Sequence, residues 1–237
     1  MITRHLHVAG ARERDRAAAM APLLAGSRVL QARCHRRLRG PYTGVDTVLA
    51  EILPHAQERW PELVAFHRLE LLDGMPQFAD IIGPVPRTLA ADAPMEQRTR
   101  WYNELMVRCM NQGIVTFLRE YGRRVRAEGG ELPVLVLDGL HGADRTAADF
   151  VGLFVRRVDP ALWPAVVGST GDVDADLAAV LDEHADRVEA PALPAEPVPA
   201  TAADWVDSDG TRDDPAAYAA YQALPDAERA ALHDRRA

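Results

Sequence analysis

The side chains with the most chemistry to offer stand close together in Val134-Leu-Val-Leu-Asp138-Gly-Leu-His141-Gly-Ala-Asp144. Asp138 ends an apolar, β-branched run, so its carboxylate is expected at the end of a strand, as a metal ligand or as a cap for the next helix. His141 and Asp144 are three apart, a spacing that joins them on a helical turn, either as an acid–base pair or as the tie of a strand-to-helix corner. Cys34-His35 beside Arg36 and Arg37 sets a thiol near positive charge, but no positioned base or oxyanion site accompanies it. The eight histidines show no H-E-x-x-H or other ligand spacing, so zinc is not expected. Asp207-Ser-Asp-Gly-Thr-Arg-Asp-Asp214 lacks the first acid and the final glutamate of a calcium loop; an acidic turn leading into a capped helix is the simpler reading. All 27 basic residues are arginine. A lysine-free chain has no Schiff base, no lysine general base and no ordinary phosphate-loop lysine.

The elements that must position these groups alternate. Short apolar runs at His5 to Ala9, Arg28 to Ala32, Pro133 to Asp138, Ala165 to Gly168 and Arg187 to Ala190 read as strands. Helical periodicity covers Arg12 to Ala25, much of Tyr42 to Glu128, Arg145 to Val158 and Asp174 to Ala185. Such alternation predicts an α/β protein with a mostly parallel five-stranded sheet covered on both faces, a three-layer α/β/α arrangement. Residues 95–128 read as one long helix, with Gly113 as the place for a bend and Gly129-Gly130 as its stop. Residues 60–89 hold too many glycines and prolines for one helix and are expected to form an irregular helical insertion, a lid or partner surface bearing Trp60, Phe66 and Phe78. The competing expectation is that these aromatics build the core. Residues 191–203 read as a stiff Pro/Ala-rich linker, and 204–237 as an acidic turn and helical tail, with Tyr218 and Tyr221 on its apolar stripe.

With 237 residues, 48% of them hydrophobic and 26% charged, the chain suits one globular domain plus a tail. No apolar run reaches membrane-helix length, the N-terminus lacks a signal-peptide core, and the two distant cysteines make no disulfide framework, so a cytoplasmic protein is expected. Charge is uneven: residues 1–40 carry +7 and residues 171–237 carry −11. A basic face for nucleic acid is one reading, weakened by the acidic pI of about 5.5; pairing of the Arg33 to Arg39 run with the acidic C-terminal region is another.

The strand ending in Asp138, followed by Leu-His-x-x-Asp, resembles the Walker B region of the STAND class of P-loop signal-transduction ATPases, in particular the large LuxR-type ATP-binding regulators and their actinobacterial relatives. Arg39-Gly-Pro-Tyr42, Arg156-Arg157-Val-Asp-Pro160 and Val166-Val-Gly-Ser-Thr170 fall where that family has similar segments, so the likeness covers residues 1–190. It implies a P-loop NTPase-like fold, with Asp138 at the magnesium position, Ser169 and Thr170 at a γ-phosphate sensor, and a phosphate loop beginning at Gly10. Ala227 to Arg236 resembles the start of a helical repeat that commonly follows such cores, implying a shortened piece of a longer chain.

At those positions the chain departs from the pattern. Against G-x-x-x-x-G-K-[ST], Asp15 replaces the second glycine, Arg16 the lysine and Ala17 the metal-binding hydroxyl, while Gly139 replaces the second Walker B acid. An acid facing phosphate, a missing magnesium ligand and a missing catalytic acid each oppose binding or hydrolysis of magnesium-ATP. The expectation is therefore a pseudo-ATPase: a non-catalytic regulatory or adaptor module that acts through a protein partner or its own missing C-terminal repeat region. One alternative is a weak ATP or ADP sensor using Arg16, Asp138 and backbone amides after Gly10. Another is an unrelated enzyme centred on Asp138, His141 and Asp144.

Overall fold

The computed structural model describes residues 2–38, 41–84, 104–171, 173–194 and 200–236. In chain order these form β1 (His5–Ala9), α1 (Glu13–Leu24), β2 (Val29–Arg33), α2 (Val45–Arg59), α3 (Pro61–Phe66), α4 (Arg68–Gly74), a 3-10 turn (Pro76–Phe78), α5 (Ala79–Ile82), α6 (Glu104–Ala127) and β3 (Val134–Asp138). A second 3-10 turn (Leu140–Gly142) then leads to α7 (Arg145–Arg157), β4 (Ala165–Ser169), α8 (Ala175–His184), β5 (Ala185–Glu189), α9 (Ala202–Asp207), α10 (Pro215–Gln222) and α11 (Asp226–Arg236).

The five strands form one sheet in the order β2-β3-β4-β1-β5, and every pairing is parallel. Central strands β3 and β4 are buried along their whole length, as near-continuous apolar runs require, whereas edge strands β2 and β5 are partly exposed. Side-chain alternation divides the core between two faces. Val134, Val136 and Val166 pack with Val8 and with Met20 of α1, while Leu135, Leu137, Ala165 and Val167 join a larger cluster supplied by α2, the short helices, α6, α7 and α8. The result is a three-layer α/β/α fold with its layers unequally filled.

The strand order fixes where a crevice must lie. From β1 the chain crosses by α1 to β2 at one edge; from the adjacent β4 it crosses by α8 to β5 at the other. Neighbouring strands whose connections leave in opposite directions part at their carboxyl ends, the usual place for a ligand in such sheets. Here those ends are Ala9-Gly10 and Ser169-Thr170, with Asp138 of β3 alongside.

The described part of the expected insertion packs into the core. Within 60–84 the side chains of Trp60, Leu63, Val64, Leu71, Leu72, Met75, Phe78 and Ile82 are buried in the main apolar cluster; residues 85–89 lie outside the described residues. Burial of these rings by α2 and α6 removes more apolar surface from water than an open flap would allow. The long helix runs unbroken through Gly113, where the absence of a side chain admits Glu70 of α4; its expected beginning at 95–103 is outside the described residues. Of the linker, residues 191–194 are irregular and 195–199 are not described, as are Arg39 and Gly40. Among the described residues no helix is long and apolar enough to cross a membrane.

Candidate functional site

At the head of the crevice the connection between β1 and α1 is only three residues, Gly10 to Arg12. The helix expected from Arg12 to Ala25 prevails over the loop that the resemblance implies from Gly10: Asp15, Arg16 and Ala17 belong to α1, and the amides of Asp15 and Arg16 bond the Arg12 carbonyl at 3.0 and 3.2 Å. The Gly10 N–H is likewise engaged, with the Ser169 carbonyl at 2.9 Å. A phosphate cradle needs successive free amides turned to one point, and those of Gly10, Asp15 and Arg16 are engaged within the chain.

Asp15 does not face the crevice. Its carboxylate receives Nε and Nη2 of Arg12 at 2.8 and 2.9 Å and the Leu193 amide at 3.1 Å, so it ties the start of α1 to the irregular segment following β5. Those hydrogen bonds hold its carboxyl below the ordinary range despite burial. Ala17 is exposed on the helix surface.

Arg16 turns inward, and its side chain is 1% exposed. Its planar fork grips Asp138 with Nε to Oδ1 at 2.7 Å and Nη2 to Oδ2 at 3.0 Å, while Nη1 donates to the Gly10 carbonyl at 2.9 Å. Burial works against the guanidinium's charge, but Asp138 and Asp213 outweigh it and hold its pKa above the ordinary value. A compact ammonium could not make this two-pronged contact, which suits the arginine at this position. Asp138 is therefore neither a cap nor free for a metal: Gly139, in the left-handed region at φ 83°, forms the corner, and Asp144 caps α7. Gly168 of β4 is required beneath this pair, because a Cβ there would run into Asp138 Oδ1.

A third group enters from far along the chain. Asp213 accepts Arg16 Nη2 at 2.6 Å through Oδ2, and its Oδ1 meets His141 Nε2 at 2.8 Å. The Thr170 amide donates to His141 Nδ1 at 3.3 Å, so the imidazole proton sits on Nε2 and points at Asp213. Burial raises the Asp213 carboxyl, yet bonds from His141 and Arg16 more than reverse this and leave it below its ordinary value. Sequence reasoning missed Asp213 as a site residue; the charge imbalance between the two ends of the chain was the available signal.

His141 and Asp144 do not pair. Asp144 accepts the Ala147 amide at 3.0 Å, the Thr43 hydroxyl at 3.0 Å and the Thr146 hydroxyl, and so binds the entry to α2 onto the start of α7. Ser169 is buried and bonds His7 Nε2 at 2.8 Å; its neighbour Thr170 offers its amide to His141, and the cap of α8 is Asp174. Cys34 is fully buried, which pushes its thiol pKa far up, the reverse of a reactive cysteine. The carboxylates of the suspected calcium loop diverge, Asp209 to Arg236, Asp213 to Arg16 and Asp214 to the cap of α10. Among the described residues no three metal-binding side chains are grouped to hold an ion.

The suggested partner-binding aromatics separate. Trp60 is packed against His55 and Tyr121, with ring centroids 5.5 and 5.6 Å apart, and Phe78 is buried, so both belong to the core. Phe66 is 80% exposed and Tyr218 42%. Tyr221 is half-buried, its hydroxyl 3.1 Å from His233 of α11.

Magnesium-nucleotide does not fit this arrangement. The Gly10 amide, both oxygens of Asp138 and the Arg16 fork are already bonded, and no hydroxyl stands where the motif requires one. Comparison with known proteins supplies no identity: no protein-family model, curated protein or solved structure matches this chain.

Proposed function

We propose that this chain is a non-catalytic regulatory or adaptor module with a P-loop-like core, a degenerate relative of the STAND ATPases, which works by binding another protein. One observation carries the reading: the position of the phosphate-loop lysine is held by Arg16, locked between Asp138 and Asp213 in the crevice where a nucleotide would otherwise lie. Phosphoryl transfer depends almost wholly on positioning and on electrostatic stabilisation of the phosphates and their metal. Here the positive charge is neutralised by two carboxylates of the chain itself, and a phosphate entering the crevice would have to displace them. Calorimetric titration with magnesium-ATP and magnesium-ADP tests this. The expected result is no heat of binding and no shift in melting temperature at millimolar nucleotide; binding at micromolar concentration would overturn the reading.

A further inference from the structure

The C-terminal segment meets the rest of the protein in an unusual way. Among the described residues, neither apolar cluster contains a side chain beyond Ala190, and α9, α10 and α11 pack chiefly on one another. What joins the segment to the crevice is polar and convergent. Arg16 and His141 hold Asp213, Arg33 Nη1 donates to the Thr211 hydroxyl at 2.5 Å, and the Arg37 guanidinium lies 5.1 Å from the centre of the Trp205 ring. The segment arrives preorganised. Thr201 and Asp204 form a capping box on α9, Asp214 caps α10, and a turn with Asp209 and Gly210 in the left-handed region delivers Thr211 and Asp213 to the arginines.

We propose that the rim formed by Arg16, Arg33, Arg37 and His141 is a receptor for an acidic peptide, and that residues 205–213 occupy it in cis. The ligand class follows from the occupant: an aromatic residue, then a hydroxyl six and a carboxylate eight positions further on, as in Trp205, Thr211 and Asp213. A protein partner presenting the same pattern displaces the tail and takes over its contacts. Tethering gives the cis segment a high effective concentration, so the site is masked until such a partner arrives. The inference deepens the reading of the chain as a protein-binding module by naming the chemistry of what is bound.

The test uses the full chain and its Asp213→Asn variant, followed by hydrogen exchange and by fluorescence anisotropy with a labelled synthetic peptide of residues 201–216. Expected in the variant is exchange at least about tenfold faster across 201–236 with unchanged protection in the strands, because truncating one partner of a buried charge pair acts chiefly on release. The peptide should bind the variant at least about tenfold more tightly than the wild-type chain, and a peptide carrying Asp213→Asn should bind neither. Thr211→Val, which removes the Arg33 bond without touching a buried charge, should loosen 201–236 in the same direction. Unchanged exchange in both variants, loss of protection in the strands, or equal binding of the two peptides would overturn the proposal. Micromolar magnesium-ATP binding would sink the module reading alone, leaving the exchange and anisotropy results to decide the peptide site.

Discussion

Arg16 shows how one residue changes the character of a site. Its guanidinium is buried with two carboxylates, so that removing it leaves both without their shared counter-charge. Arg16→Met should therefore destabilise the protein by about 3–5 kcal/mol in denaturant unfolding. Adding Asp138→Asn to that variant should recover part of the loss, since of the two carboxylates only Asp213, which keeps His141, then remains charged. Equal destabilisation by the single and double changes would mean that packing of the arginine stem, rather than its charge, is what the fold uses. Asp138 and Arg16 could be singled out from their types and positions. Their bonding to each other could not be read in this way, because they are 122 residues apart and only the parallel sheet brings the ends of β1 and β3 to one place.

Elements meet at the crevice through a few side-chain ties. Asp144 caps α7 and also holds Thr43 at the entry to α2, so Asp144→Ala should cost about 1–3 kcal/mol, more than an exposed cap alone. Gly168→Ala places a methyl group into the Asp138 carboxylate and should cost about 1–3 kcal/mol by disturbing the β3–β4 contact; a neutral result in thermal melting would show that the carboxylate is free to move aside. The strand and helix positions follow from apolar periodicity, which is why all five strands lie within a few residues of their expected places. The short connection before α1 follows from the strand expected to end at Ala9 and the helical periodicity expected from Arg12. Glu13 and Asp15 in the first turn favour an early helix start, whereas the motif alignment implied a loop.

Across the whole molecule, buried histidines set the response to pH. His5 lies between the Val158 carbonyl and the Ala165 amide, and burial lowers its pKa below 6.5 despite the carbonyl bond; burial likewise lowers His7 and His67. Above pH 6.5 these groups are neutral in both folded and unfolded chains and their contribution is complete. Between 6.5 and their lowered folded values the unfolded chain takes up protons that the folded one refuses, so stability falls as pH falls, by at most about 1.4 kcal/mol per pH unit for each histidine. Asp144 and Asp213, both held below 3.8, add a second loss below that pH. Urea unfolding at pH 7.5, 6.0 and 5.0 should show a steady decline in midpoint, and a flat response would mean that the histidines gain charge within the fold. The gathering of arginine at one end of the chain and acid at the other has its structural counterpart in the docking of residues 205–213 on the crevice, although Arg33 finds Glu13 and Thr211 rather than a C-terminal acid.

The sequence by itself determined the α/β class and the alternation of strands and helices, because periodicity and residue type are local properties. Only the tertiary structure decided that the sheet is wholly parallel, that Trp60 and Phe78 are core, and that Asp213 completes the ion pair between Arg16 and Asp138. Those outcomes rest on contacts between residues distant in the chain, and such contacts arise only when strand order and helix packing have set which surfaces meet.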